Sequence, residues 1–335
     1  MSKYAVTVRN LLYSYPGQKG SGPDEPAVNI KDLKLEQGKV TVFRGHNGSG
    51  KTTFLKILAG LIQPDQGEIV HTSDRKTVLV QQEPYLFHGS VSQNLVWPLK
   101  FSGIGIKNRE SLVREKLRLV GLEGFEKRKA RELSGGEKKR IAIARALMTE
   151  ARTILLDEPD ANVDSATTQE LEKLIRTLSD QGMSIILCSH QKSFAYRCSD
   201  RIIDLFQGSP VSHDENIFKG QYRYSDGIYS DFAVGNHMIH CPGRQGEFST
   251  IVIPPDNISV SREAEKGAIM GSGKENRLQG TILSVQAYKE GRFTVTVDCG
   301  LIMKVRMSSS LISMLNLRES DTVRLLFNPS SVRLY

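Results

Sequence analysis

Gly45-His46-Asn47-Gly48-Ser49-Gly50-Lys51-Thr52 is the stretch on which the reading of this chain turns. It follows a β-branched and aromatic run at 40–43 and precedes a segment of helical character at 53–61. The pattern is GxxxxGK[ST]. Its glycines let backbone N–H groups close around phosphate oxygens, and the N-terminus of the following helix adds partial positive charge. Lys51 is placed to reach β- and γ-phosphates, and Thr52 to hold Mg²⁺. Gly45, His46, Asn47, Gly48, Ser49, Gly50, Lys51, Thr52 and the adjoining Thr53 are therefore the candidate contacts to ATP.

Further apolar runs stand at 77–80, 153–156 and 184–187, each with the composition of a strand buried on both faces. Helical patterns separate them, as at 165–178, which predicts an α/β domain with a parallel sheet. In such sheets ligands bind beyond the carboxyl ends of the strands, so the polar residues after each run are expected to converge. The run at 153–156 delivers Asp157 and Glu158. Asp157 suits a divalent cation, held directly or through water, and Glu158 suits a general base acting on an attacking water. Leu133-Ser134-Gly135-Gly136-Glu137, ahead of a helical run at 138–148, forms a second anion site of the same physical type. One ATP has no use for two such loops from a single subunit. The redundancy implies that Ser134, Gly135, Gly136 and Glu137 serve ATP held by a partner copy.

With these motifs the chain resembles the ATP-binding subunits of ABC transporters. Residues 45–52 and 154–158 are similar to the Walker A and Walker B motifs, and 133–137 to the signature loop, which usually ends in Gln where this chain has Glu137. Gln82, after 77–80, resembles the Q-loop glutamine. Ala161-Asn162-Val163-Asp164 resembles the D-loop, and His190, after 184–187, the switch histidine. The resemblance runs to about residue 210. It implies a P-loop NTPase fold and an ATPase activity, with Lys51, Gln82, Glu158 and His190 in catalysis and Thr52, Gln82 and Asp157 around Mg²⁺. Gln82 would sense the cation and the γ-phosphate; His190 would contact the γ-phosphate and hold the attacking water. Tyr15, in Tyr13-Ser14-Tyr15-Pro16-Gly17, resembles the aromatic residue that stacks on adenine, a contact of about 1–3 kcal/mol. An extra loop at 19–26 leaves Tyr13 as the other candidate, or Tyr15 as a core residue.

The same resemblance implies partners: a second copy in a head-to-tail homodimer, integral-membrane permease subunits and, through them, an extracytoplasmic substrate-binding protein. It places the chain at the cytoplasmic face of the membrane, peripherally. Glu83-Pro84-Tyr85-Leu86-Phe87 would line the groove that accepts a short permease helix, or else pack inside a helical subdomain.

After Leu205 the texture changes. Gly208-Ser209-Pro210 punctuates the chain, and alternating runs at 293–297, 301–307 and 322–327 read as strands of a small β-barrel. The expected domains are 1–208 and 209–335. A weak repeat divides the second: Asn216-Ile217-Phe218-Lys219-Gly220 returns as Asn276-Arg277-Leu278-Gln279-Gly280, and 255–260 is echoed by 329–334. Two degenerate units, about 216–262 and 276–335, joined by a polar connector at 261–274, account for both matches. The C-terminal part is similar to the Mop-like version of the TOBE domain, an all-β OB-like barrel. The matching features are Asn276 with Gly280, Met307-Ser308-Ser309-Ser310 opening a short helix, Leu315-Asn316-Leu317 and Ser330-Ser331-Val332. Such domains accompany importer ATPases for molybdate, tungstate, sulfate, iron and sugars, and some bind the oxyanion as an effector. Here Gly273-Lys274-Glu275 stand where Mop modules carry Ser-Ala-Arg, and Asn328 where Lys is common. Glu275 would repel an oxyanion at close range. Oxyanion sensing through Ser308–Ser310 and Lys274, and a purely structural or dimer-stabilising barrel, both remain as readings.

Composition narrows the classes. The 335 residues exceed one typical core and predict two domains, and 39% hydrophobic with 24% charged residues suits a soluble globular chain. No run approaches the ~18 apolar residues of a membrane-spanning helix, and the opening MSKYAVTVRN lacks the apolar core of a secretion signal. Work at a membrane would need another chain to span it. The net charge of +8 suits phosphate ligands; without a zinc finger, an aromatic-basic RNA motif or a dense Lys/Arg arm, no nucleic-acid partner is expected. Cys188, Cys198, Cys241 and Cys299 are scattered, which predicts a reduced cytoplasmic setting. His237, His240 and Cys241 read as strand and turn residues before metal ligands.

The leading function is ATP-driven import of an oxyanion such as tungstate or molybdate. The alternatives are an importer ATPase for iron, sugar or polyamine, a soluble ABC ATPase acting on nucleic acid or ribosomes, and a non-catalytic oxyanion-binding regulator. Lys51 and Ser134 lie too close in sequence for the coiled coil of chromosome-type members, and ribosome-type members usually carry two cassettes. Glu158 and His190 together argue against a non-catalytic role.

Overall fold

The structure, a computed structural model, describes residues 3–16, 26–72, 77–100, 109–149, 151–211, 215–225, 227–262, 275–289 and 291–335. Gly17, nearly all of the expected loop at 19–26, and most of the connector, with Gly273 and Lys274, lie outside these residues. The chain divides into two compact units, Met1–His213 and Asp214–Tyr335.

The first unit contains, in order, β1 (Tyr4–Tyr13), β2 (Val28–Glu36), β3 (Val40–Arg44), α1 (Lys51–Leu58), β4 (Gln66–His71), β5 (Thr77–Val80), α2 (Val91–Val96), α3 (Arg109–Leu119), α4 (Gly135–Leu147), β6 (Thr153–Asp157), α5 (Ser165–Asp180), β7 (Ser184–Cys188), α6 (Lys192–Cys198), β8 (Arg201–Phe206) and β9 (Ser209–Val211). One sheet has the order β5-β6-β7-β3-β8-β9. It is parallel from β5 to β8 and closes with antiparallel β9. Residues 209–211 are thus an edge strand of this sheet, so the change of unit comes after His213 rather than after 208. β6 and β7 are buried at every position, in keeping with the aliphatic runs at 154–156 and 185–187 in their centres. A second, antiparallel sheet has the order β2-β1-β4. Helix α1 fills the core between the two: Phe54, Leu55 and Leu58 pack with Val6, Ile30 and Leu35 from one sheet and Phe43 and Ile186 from the other. The Phe43 and Phe54 rings meet edge-on at 5.1 Å.

The helices start where the sequence places caps. Ser90 and Glu137-paired Ser134 form capping boxes on α2 and α4, and Asp164 accepts the Thr167 N–H at the head of α5. Helix α5 buries Leu171, Leu174, Ile175 and Leu178, one face at three-to-four spacing.

The second unit is all strand apart from one short helix and single helical turns. It contains β10 (Asn216–Lys219), β11 (Gln221–Arg223), β12 (Tyr229–Val234), β13 (His237–Pro242), β14 (Thr250–Ile253), β15 (Ser259–Arg262), β16 (Asn276–Lys289), β17 (Arg292–Asp298), β18 (Ile302–Ser308), α7 (Ser309–Met314), β19 (Thr322–Phe327) and β20 (Arg333–Leu334). Its closing strands are exchanged between the two halves: β15 pairs with β19, and β20 pairs with β14. Two asparagines fasten the halves reciprocally. The Asn216 amide donates to the carbonyls of Ile253 and Lys304 and accepts the Lys304 N–H at 2.6 Å. The Asn276 amide accepts the His240 N–H at 2.7 Å and donates to the His240 carbonyl at 2.8 Å. Gly220 and Gly280 occupy matching places for one reason: a Cβ at either would stand 1.9 Å from the Ala233 carbonyl or 2.4 Å from that of Asp298. One continuous core, with Phe232, Ile251, Val295, Val305, Leu325 and Phe327, serves both halves.

Candidate nucleotide and catalytic site

Register brings the motifs together. Phe43 and Asp157 both lie opposite Cys188, and Val80 lies opposite Leu156. The residues after β3, β5, β6 and β7 therefore leave the sheet along one edge. Gly45, His46, Asn47, Gln82, Glu158, Asn162 and His190 line a common cavity of about 1100 Å³ there.

The loop before α1 has the form of a cradle. Gly45, Gly48 and Gly50 all sit at positive φ, 154°, 79° and 96°. The ammonium of Lys51 is buried and donates to the carbonyls of Gly45 at 2.8 Å and His46 at 3.0 Å, drawing the loop into a ring. The Ser49 hydroxyl is buried and makes no hydrogen bond among the described residues, an orphan polar atom inside a loop otherwise lined with backbone. Thr52 donates its hydroxyl to Asp157 Oδ1 at 3.1 Å. Burial pushes the Asp157 carboxyl above its ordinary range, the neighbouring Glu158 charge adds to this, and the Thr52 hydrogen bond and the Lys51 and Lys56 charges oppose it. Two oxygens this close on a desolvated carboxylate–hydroxyl pair fit a small divalent cation, whose charge would offset the desolvation.

Glu158 follows with φ 45°, a left-handed conformation that costs a non-glycine residue about 1–3 kcal/mol and persists only where neighbours enforce it. Its N–H donates to the Cys188 carbonyl at 3.1 Å. Its carboxylate lies 3.6 Å from Nδ1 of His190, whose side chain is half exposed. Strand β6 thus turns its two carboxylates apart, Asp157 toward Thr52 and Glu158 toward His190. Gln82 lines the same cavity.

Tyr15 donates to or accepts from the Thr53 hydroxyl at 2.9 Å, and its ring stands edge-on to Tyr13 at 5.1 Å. Tyr15 is 38% exposed and Tyr13 only 9%, so Tyr15 is the one with a free face beside α1. At the signature loop, the Glu137 carboxylate turns back on its own helix. It accepts the Ser134 N–H at 2.7 Å and a bond from Arg128 at 3.3 Å, while the Ser134 hydroxyl accepts the Glu137 N–H. Burial raises the Glu137 carboxyl, but these bonds and the Arg128 charge outweigh it and leave the group below the ordinary range. Gly136 packs against Thr167, where a Cβ would come within 2.5 Å of its methyl group, and Gly135 faces open space.

Three residues of the site escape a reading by motif. Lys139 is buried and donates to carbonyls after β6; Asp160 is fully buried; Ser189 donates to Asp160 at 2.7 Å. For Lys139 a signal exists in the sequence. It shares a helical face with Ala142, Ile143 and Ala146, so a charge there sits on an apolar stripe. Outside this site, His237, His240 and Cys241 do not gather: His240 points from the opposite face of β13 and pairs with Asp231 at 2.7 Å, while the Cys241 thiol bonds the Ser230 carbonyl. Among the described residues no helix is long and apolar enough to cross a membrane.

A parallel sheet that turns its strand ends onto a glycine-lined lysine loop defines the class of P-loop nucleotide hydrolases. The family described as "ABC transporter" matches residues 28–161. The tungstate uptake system ATP-binding protein TupC of Peptoclostridium acidaminophilum is 34% identical over 210 residues, 61% of this chain and 95% of that protein. The Fe(3+) ions import ATP-binding protein FbpC of Escherichia coli (strain K12) is 29% identical over 322 residues, covering 88% of this chain and 89% of its own length. Among solved structures, the ATP-binding cassette MJ0796, in a dimeric post-hydrolysis state with ADP and Pi, superposes with a TM-score of 0.55 at 28% identity, over 62% of this chain and 97% of that one. The chain belongs to the ABC transporter family of ATP-binding proteins and is an ABC ATPase.

Proposed function

We propose that the chain powers an ABC importer as a head-to-tail homodimer at the cytoplasmic membrane face, each copy binding MgATP on its Lys51 loop and completing the partner's site with its Ser134 loop. The observation that carries this reading is the Glu158 carboxylate 3.6 Å from the His190 imidazole, in one cavity with the Gly45–Asn47 backbone and Gln82. Backbone N–H groups of the loop, with Lys51, hold the phosphates; Tyr15 stacks on adenine. Thr52, Asp157 and Gln82 would hold Mg²⁺, which would supply positive charge to the phosphate oxygens. Glu158 takes a proton from the attacking water as its oxygen bonds the γ-phosphorus and the bond to the ADP oxygen breaks. His190 orients that water and the γ-phosphate. In this reading Glu137 caps α4, and the phosphate contacts come from Ser134 and the backbone of Gly135 and Gly136.

The dimeric relative bound to ADP and Pi supports the dimer, and an isologous two-fold contact would set each Ser134 loop on the other copy's nucleotide. Tyr85, Phe87 and Trp97 are exposed, Tyr85 meeting Phe87 edge-on and Phe87 tilted against Trp97, with Lys129 and Arg131 lining the cavity beside Tyr85 and Phe87, which suits a permease segment. The second unit reads as a Mop-like TOBE barrel, supported by its repeated halves with exchanged closing strands. Its role reads as structural before sensory: Ser308 caps α7 and bonds Ser310, and the Asn276 amide is engaged at both its oxygen and its nitrogen by the His240 backbone. For cargo, similarity to the tungstate protein favours an oxyanion of the tungstate or molybdate class. Similarity to the Fe(3+) importer, which covers 88% of this chain and so reaches into the second unit, favours iron as the second reading. Uptake of labelled tungstate against labelled Fe(3+), in cells lacking this chain, decides between them. The catalytic reading is tested by Glu158→Gln, which should lower turnover by about 10²–10⁴-fold and hold a dimer in MgATP by light scattering. Parent-level turnover, or a monomer in saturating MgATP, would count against it.

A further inference from the structure

Helix α4 begins at the Ser134 loop and, one turn further on, sends Lys139 into the unit, where it is only 7% exposed. A lysine ammonium has three N–H donors and no acceptor. All three find backbone: the carbonyls of Glu158 at 3.3 Å, Pro159 at 3.0 Å and Ala161. These carbonyls belong to the turn that leaves β6, in which Glu158 and Asn162 are both left-handed, with φ 45° and 57°. Non-glycine residues keep such angles only where the surroundings over-determine them. The turn is held from its other side by the Ser189 hydroxyl on the Asp160 carboxylate, 2.7 Å, and the Gln191 amide on the Asp160 carbonyl, 3.0 Å. Burial pulls the Lys139 ammonium below its ordinary range, and the charges of Asp160, Glu158 and Glu83 work against that pull.

We propose that Lys139 is a positioning residue for hydrolysis: by gripping the carbonyls of 158, 159 and 161 it fixes the aim of the Glu158 carboxylate beside His190 and ties that aim to the helix carrying the Ser134 loop. The proposal rests on Glu158 as the general base. Its physical content is that one buried cation joins two segments with different tasks. The loop at the head of α4 faces the partner's nucleotide, and the turn after β6 holds this copy's own base. A shift of α4 moves both, so seating of the signature loop and alignment of Glu158 become one event.

The test uses the full chain with Lys139→Met, Lys139→Gln and Glu158→Gln, measuring kcat, KM for MgATP, affinity for a fluorescent ATP analogue, and thermal midpoint. Methionine keeps the stem and removes the donors; glutamine restores two N–H groups. Lys139→Met is expected to lose about a hundredfold in kcat, the scale of a misplaced reacting group, with KM and nucleotide affinity within twofold of the parent. Lys139→Gln is expected to recover part of that loss. A parent-level kcat in Lys139→Met, or losses in KM and kcat that track a lowered folded fraction with no recovery in Lys139→Gln, overturns the proposal. If Lys139→Met does not fold, Lys139→Gln decides: a lowered kcat at unchanged nucleotide affinity supports it, and parent-level kcat overturns it. Glu158→Gln separates the two readings. An inactive Glu158→Gln beside a fully active Lys139→Met sinks the positioning role alone, whereas an active Glu158→Gln sinks the base and the positioning role with it.

Discussion

Adding one methyl group at Gly50, beside the same methyl at Gly48, separates backbone strain from steric contact in the glycine-rich loop before α1. Both glycines are left-handed, with φ 96° and 79°. At Gly48 a Cβ meets nothing within 4 Å; at Gly50 it stands 2.2 Å from the Ala27 carbonyl oxygen and 3.4 Å from Gly208 Cα. Gly48→Ala therefore carries the strain term alone, about 1–2 kcal/mol. Gly50→Ala carries a similar strain and in addition an overpacking term of about 1–3 kcal/mol, because the obstacle is backbone and cannot rotate away. The expected gap between the two variants is that second term. Urea unfolding followed by tryptophan fluorescence is the suitable assay, since the chain has one tryptophan and Trp97 lies in the first unit. The signal then reports the ATPase unit without the β unit. Gly50→Ala should also weaken nucleotide binding more than its stability loss explains, since relief of the contact displaces the N-terminus of α1. Equal midpoints for the two variants would refute the close approach of Ala27 to the loop, and with it the argument that position 50 needs glycine for space as well as for angle.

Asp157→Asn should raise the urea midpoint of the nucleotide-free chain near neutral pH while weakening Mg²⁺-dependent ATP binding. The carboxyl is raised in the folded state by burial, so its contribution to stability is present below the unfolded pKa and lost as pH rises through the folded pKa; asparagine removes that loss. An unchanged midpoint would argue against the desolvation. Asn216→Ala and Asn276→Ala should each destabilise the second unit, leaving buried backbone groups unpaired at about 1–3 kcal/mol per group. Calorimetry should show the second unit's transition falling while the Trp97 midpoint stays in place; a shift of the Trp97 signal alone would contradict the assignment. Finally, millimolar tungstate should leave the thermal midpoint of the full chain unchanged if the barrel is structural, and a clear rise would restore the oxyanion-effector reading.

Much of the first unit was legible because its signals are local. The runs at 40–43, 77–80, 153–156 and 184–187 fall within β3, β5, β6 and β7, since strands inside a covered parallel sheet are predominantly aliphatic and β-branched. The helical runs at 138–148 and 165–178 fall on α4 and α5, which the structure starts at Ser134 and Asp164 with caps contained within four residues. The end of the unit was less legible. Gly208-Ser209-Pro210 reads as a boundary, yet Gly208 only turns the chain so that β9 returns along β8. Glu137 shows the same limit at one residue: its place in the signature loop suggests a ligand contact, and its carboxylate is occupied by Ser134 and Arg128.

By itself the sequence determined the glycine-rich loop between β3 and α1, the strand-end carboxylates and the order in which polar motifs meet the sheet, because glycine spacing and apolar runs act over a few residues. Only the tertiary structure decided which groups face one another: Lys139 against the carbonyls of 158, 159 and 161, Glu158 toward His190 and Asp157 toward Thr52, and β15 and β20 exchanged between the halves of the second unit. The physical reason is that a buried donor or a strand edge must be satisfied, but its partner lies wherever the fold brings a free acceptor, at a sequence distance no local pattern encodes.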